Sequence, residues 1–418
     1  MSMITLFDKS FVQSLTVDES VWFDRFFYPV VCPIFYVETL ADLSKKPRGD
    51  RTADAEVRII ADKFPEMSGS PCADHYNMAV LDILGVFHAP MDGRIPRSGG
   101  RNVSGGNRVG VVFDESPEIA AFRRWQNEEF YEVERHFAAG WRAALNAADL
   151  TQIASVLRAS GLTAQSCKSL ADAKRSADGL IQAADKAFDR LRFAVEFFNI
   201  GRQHHKRVIQ SWELVGKPPL HEYAPYAAFV LTIEVFFHIA LAAGLISDRP
   251  SNRTDIGYLF YLPFCMAFVS SDRLHQRTAP LFLRGDQEFV WGIDLKADLG
   301  RLDTHYKTTL SEADRERGLI RLVGAPPIDG GYLVTELWKR HLRPEALHDR
   351  DIAEGMSAEA QAKLVDELTA FTKGPPLPSD HQLLSDDDIE AVTVERRISK
   401  RKGTWWQLPK DMQDQGAA

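Results

Sequence analysis

The chain has 418 residues, enough for two or three domains. Hydrophobic residues at 45% and charged residues at 26% are ordinary for a soluble globular protein, which leaves out a fibrous or wholly disordered chain. The net charge of −8 leaves out a global basic field that would hold nucleic acid non-specifically, though not a local basic groove.

In chain order, residues 4–7 form a short apolar run that ends on Asp8. Residues 29–36 form a second, which delivers Glu38 onto the start of a helix. Buried parallel strands read as continuous apolar runs of this kind. Helical stretches follow in ADAEVRIIADKF and NMAVLDILGVF. A glycine-rich loop then carries Arg94, Arg97, Arg101 and Arg108; its backbone amides could approach phosphate, or it is a mobile surface hairpin. It has no nucleotide-binding glycine motif.

Residues 117–148 begin after an N-cap and carry Phe122, Trp125, Phe130, Phe137 and Trp141 at helical spacing, a packing face. Residues 163–215 are amphipathic again and end in the basic group 202–207, a phosphate contact or a solvated helix end whose charge suits the helix dipole. Residues 223–246 are apolar enough to span a bilayer, yet Glu234 and His238 lie on one helical face within them. A buried helix beneath the sheet is the expectation, with no membrane contact.

Asp255 then opens a helix that leads into the apolar run 264–269, which ends close to Asp272. A further strand is expected around 289–292, followed by Asp294, a possible extra acid or a solvated turn residue. Residues 301–372 are helical and polar in character, and the last stretch changes to prolines, blocked charge and a polar end. There Arg396, Arg397, Lys400, Arg401 and Lys402 precede Trp405 and Trp406, which joins phosphate-binding charge to stacking rings in a tail that could also be plainly solvated or anchor a partner protein. Cys32, Cys72, Cys167 and Cys265 are scattered and read as reduced core residues of a cytoplasmic protein without a signal peptide. Cys72 and His75 have no companion pair at zinc-site spacing, and no nucleophile motif accompanies the histidines.

Acids past the carboxyl ends of buried strands have little structural reason to exist, and ligand crevices of open α/β sheets lie there. Several carboxylates facing each other repel unless protonated or neutralised. Mg²⁺ or Mn²⁺ neutralises them naturally, as hard ions with oxygen ligands. Asp8, Glu38, Asp255 and Asp272 are the candidate set. The ordered segments Phe7-Asp8-Lys9-Ser10, Val37-Glu38-Thr39-Leu40, Thr254-Asp255 and Val269-Ser270-Ser271-Asp272 resemble the PIN-like nuclease domain over residues 1–45 and 225–300.

That resemblance implies an α/β fold with a parallel sheet flanked by helices. It implies that the four acids bind Mg²⁺ or Mn²⁺ and are catalytic, with Ser10, Ser270 or Ser271 in support. The chain then divides into 1–48, the first part of the PIN-like domain; 49–220, a large mainly α-helical insertion; 221–300, the second part with Asp255 and Asp272; 301–372, a helical region; and 373–418, a flexible tail. The implied activity is metal-dependent hydrolysis of phosphodiester bonds, in RNA rather than DNA. Arg253, Arg273, Arg97, Arg101 and Arg108 are the candidate nucleic-acid contacts. The alternative is a catalytically inactive PIN-like module that binds protein through its insertion and tail.

Overall fold

The computed structural model describes residues 2–45, 51–105, 108–147, 167–347, 357–378 and 390–412. In chain order its first strands are β1 (Met3–Phe7), β2 (Phe27–Val31), β3 (Ser70–Pro71), β4 (Arg101–Gly105) and β5 (Arg108–Phe113). They are followed by β6 (Ala267–Ser270), β7 (Glu288–Trp291) and β8 (Ala391–Val394). The first apolar run becomes the middle of a sheet: β1 pairs in parallel with β2 on one side and β6 on the other. With β3 beyond β2 and β7 beyond β6, the order is β3-β2-β1-β6-β7, every pair parallel. The fold is α/β, because each parallel step needs a helical crossover to return the chain to the same sheet edge.

Leu6 and Phe7 of β1 are wholly buried, as are Val30 in β2 and Phe268 in β6. Each such side chain contributes roughly 1.5–3 kcal/mol relative to exposure. The second apolar run divides: β2 stops at Val31, and Pro33 opens helix Pro33–Leu40 at a position where a missing N–H costs nothing. The third run starts later than its apolar residues, since Leu259–Phe264 coil into 3₁₀ turns before β6 begins at Ala267.

Residues 49–220 are not purely helical. They supply β3, the edge of the main sheet, and the hairpin β4–β5, which β8 joins from the far end of the chain. A two-residue Ser-Pro strand has no apolar run, so only its pairing with Val30 and Val31 reveals it. The aromatic stripe of 117–148 breaks between helices Pro117–Gln126 and Glu132–Ala147, where Glu128 adopts a φ of 59°. Phe122 and Trp125 are buried, whereas Phe137 and Trp141 are exposed. The basic group 202–207 opens helix Arg202–Leu214 instead of closing one, so the dipole does not favour it. Helix Pro225–Ala242 is long and apolar enough to cross a membrane, yet most of it is buried inside the protein. Its walls are chiefly helices Leu170–Ile181 and His75–Ile83, not the sheet.

The basic and aromatic segment at the end of the chain, expected as part of a flexible tail, is docked over residues 390–412. Trp405 is wholly buried, edge-on to Trp22 at 4.8 Å, and its indole N–H donates to Asp303 at 2.8 Å. Arg396 donates to the Met67 carbonyl and the Tyr28 hydroxyl, and Lys402 is buried against the Phe64 carbonyl. Trp405 is therefore core, not a free stacking ring. The acidic run before this segment and the last six residues, 413–418, lie outside the described residues. Trp405→Ala is expected to destabilise the protein by about 3–5 kcal/mol in denaturant unfolding. A loss below about 1 kcal/mol would show that this segment does not belong to the folded body.

Candidate functional site

Asp8 immediately follows β1 and caps helix Lys9–Ser14, with its Oδ1 accepting the Phe11 N–H at 3.0 Å. Its Oδ2 accepts from the hydroxyls of Ser10 at 2.6 Å and Ser270 at 2.8 Å. Ser270 ends β6, the neighbouring strand, so sheet pairing itself brings these two side chains together. Asp272 caps helix Arg273–Thr278 through the Leu274 N–H at 2.6 Å, and its own N–H donates to Ser270 Oγ at 2.9 Å. Glu38 stands on helix Pro33–Leu40 after β2, and Tyr258 donates its hydroxyl to Glu38 Oε2 at 2.7 Å. Asp255 sits on helix Ser251–Tyr258, and its carboxyl group accepts no hydrogen bond from the described residues.

Their mutual electrostatics tie the four acids to one region. Burial pushes Asp255 up, His275 pulls it down, and the charges of Glu38, Asp272 and Asp8 push it up again, to about 7. Burial likewise raises Glu38 against the pull of Lys9 and Tyr258. Asp8 moves the other way: its burial is outweighed by His275, Ser10 and the Phe11 amide, which hold it below the usual carboxylate range.

Sequence reasoning missed the residue that binds this region together. His275 is wholly buried. Its Nε2 faces the Asp255 carbonyl oxygen at 2.7 Å, an acceptor only, so Nε2 carries a proton. The single Ser270 hydroxyl proton is directed to Asp8, so Nδ1, 2.8 Å from Ser270 Oγ and 3.4 Å from Asp8, also donates. An imidazolium satisfies both bonds. Burial disfavours that charge, but Asp8 and Asp255 outweigh it and raise His275 to about 9. The signal was present as Asp272 and His275 at the cap and third position of one helix, where a side chain can fold back past the cap.

Lys9 is a second internal cation. Its Nζ pairs with Asp42 at 2.6 Å and donates to the Glu38 carbonyl at 3.1 Å, with Glu38 Oε1 at 3.9 Å. Ser271 Oγ is buried with no hydrogen-bond partner, and a Cβ on Gly292 would come within 2.4 Å of it.

Carboxylates are the oxygen donors a hard divalent cation takes, and Asp255 keeps affinity for a proton near neutrality. Among the described residues no group of three His, Cys, Asp or Glu side chains is placed to share one ion. Asp294 is exposed in a separate groove with Arg301 and Glu336. Arg253 shares a helix with Asp255 but pairs with Glu234 at 2.6 Å, and exposed Arg273 follows Asp272. Arg97 and Arg101 are engaged elsewhere, on Ser70 and on Asp114 and the Thr372 carbonyl, and Arg108 is exposed on the β4–β5 hairpin.

Linkage gives a signed expectation. A group whose folded pKa is raised contributes stability that is complete below its unfolded pKa and lost as pH rises through the folded one. For Asp255 that loss is over near pH 7, so the window from 7 to about 9 belongs to His275. In EDTA, unfolding free energy should fall by roughly 3 kcal/mol across the His275 range, and His275→Gln should remove the dependence between pH 7 and 9. Equal slopes for both proteins would dismiss the imidazolium.

No family model, curated protein or solved structure matches this chain, so what stands is an α/β fold with a five-stranded parallel sheet and a group of acidic side chains at its carboxyl edge.

Proposed function

We propose that the protein is a nuclease of the PIN-like kind that hydrolyses phosphodiester bonds, in RNA rather than DNA, at this acidic pocket. The observation that supports it most is the arrival of four acids from four separate segments at one sheet edge, with Asp255 raised to about 7. A five-stranded parallel sheet flanked by helices is also what the resemblance implies. Asp8, Glu38, Asp255 and Asp272 would hold Mg²⁺ or Mn²⁺, which when bound supplies an activated water and stabilises the leaving oxygen.

The chain's own groups divide the remaining work. Ser10, Ser270 and His275 hold Asp8 in one orientation. The Asp272 carboxyl is oriented by the helix that it caps. Asp255, without a hydrogen-bond partner, can give up its proton when cationic charge arrives. Ser271 Oγ is free to hold a water or a substrate oxygen.

A second reading has its own support. His275 and Lys9 already offset part of the acidic charge, so the network could be a structural one inside a protein-binding module.

Purified protein with Mn²⁺ or Mg²⁺ should cleave labelled single-stranded RNA, and EDTA should stop it. Asp8→Asn with Asp272→Asn should lower the rate by more than about 100-fold, the upper range seen for partners of metal ligands. Mn²⁺ should also raise the melting temperature of the wild type and leave that of the double variant unchanged. A folded protein with neither cleavage nor a Mn²⁺ shift would favour the binding module.

A further inference from the structure

Outside the acidic pocket, one surface carries the opposite chemistry. Helix Ala187–Phe197 presents Phe193 and Phe197 at 38% and 39% exposure, with ring centroids 6.1 Å apart. Phe197 abuts Phe198 at 5.1 Å, and Phe198 abuts Tyr76 at 5.8 Å, whose ring is 42% exposed and whose hydroxyl donates to the Phe198 carbonyl. After a short turn, helix Arg202–Leu214 opens with exposed Arg202, His204, Lys206 and Arg207. Among the described residues no carboxylate pairs with these four, although most other basic side chains of this acidic chain have one.

Helix stability does not explain them, since cations at the start of a helix oppose its dipole. Exposed rings beside unpaired cations are the chemistry that holds unpaired bases and their phosphates. A duplex keeps its bases stacked inside and cannot use the rings.

The ring contacts run from Tyr76 through Phe198 to Phe197 and Phe193, and the basic helix start follows Phe198 in the chain after three residues.

We propose that Tyr76, Phe193 and Phe197, together with Arg202, Lys206 and Arg207, form a binding strip for single-stranded RNA. This binding does not rest on the nuclease reading.

Fluorescence anisotropy of the full chain with labelled oligo(U), oligo(dT) and duplex RNA, in EDTA so that nothing is cut, tests it. Oligo(U) should bind at least as tightly as oligo(dT) and more tightly than the duplex. Phe193→Ala with Phe197→Ala should weaken it at least about tenfold. Arg202→Gln, Lys206→Gln and Arg207→Gln together should lower the slope of log affinity against log salt by about 0.7 per lost contact. Unchanged melting temperatures would show that these surface variants fold.

Affinity unaffected by both sets, absent binding at low salt, or preference for DNA or duplex would overturn the strip. Wild-type protein that binds oligo(U) but does not cut it in Mn²⁺ would sink the nuclease reading alone, and cleavage with strip-independent binding would sink the strip alone.

Discussion

The pairing of β1 with β6 sets Asp8 against Ser270 across 262 positions of chain, and the arrangement of the carboxyl edge follows from that contact. Both strands end together because their register is parallel, so their last residues and the turns beyond them share one edge. Asp8, Ser270, Asp272 and His275 are drawn into one hydrogen-bonded group by this geometry. Glu38 arrives from the neighbouring crossover after β2, and Asp255 from the helix that precedes β6. Tyr258 links those two sides by bonding Glu38 from the helix that carries Asp255.

Once the acids share an edge, charge must be compensated, and the protein does so in three ways at once. Asp8 is fully ionised because an imidazolium and two hydroxyls face it. Glu38 leans on Lys9, which divides its charge between Glu38 and Asp42. Asp255, left with burial and like charges, retains affinity for a proton near neutrality. Unequal compensation is what distinguishes the pocket from an ordinary salt-bridge cluster. Asp8 is held and charged, Glu38 shares a lysine with Asp42, and Asp255 is available for exchange.

The long connection between β3 and β6 serves the same edge from outside. It wraps the apolar helix Pro225–Ala242, whose Glu234 would be costly in a dry interior but fixes Arg253 near the pocket. Docking of the chain's end has a comparable logic. Trp22, stacked on Tyr306 at 4.3 Å, gains Trp405 as an edge-on cover, and Asp303 accepts the indole protons of both tryptophans. Strand β8 completes the small sheet of β4 and β5, so the end of the chain is tied to the insertion.

What the sequence determined by itself was local: three buried strands, legible because parallel strands are apolar on both faces, and the places of Asp8 and Asp272 just past two of them, whereas Glu38 and Asp255 stand inside helices rather than opening them. It also favoured a buried helix over a membrane span for residues 223–246, since Glu234 is costly in lipid. The tertiary structure alone decided which strands are neighbours, that Ser70–Pro71 belongs to the sheet, and that Trp405 is core. It alone decided that His275 and Lys9 are the cations of the acidic pocket. The reason is physical: periodicity reports which face of an element is apolar, whereas a hydrogen bond or a charge pair depends on distance in space. A buried histidine in sequence is one of twelve; only folding shows that both its nitrogens meet acceptors.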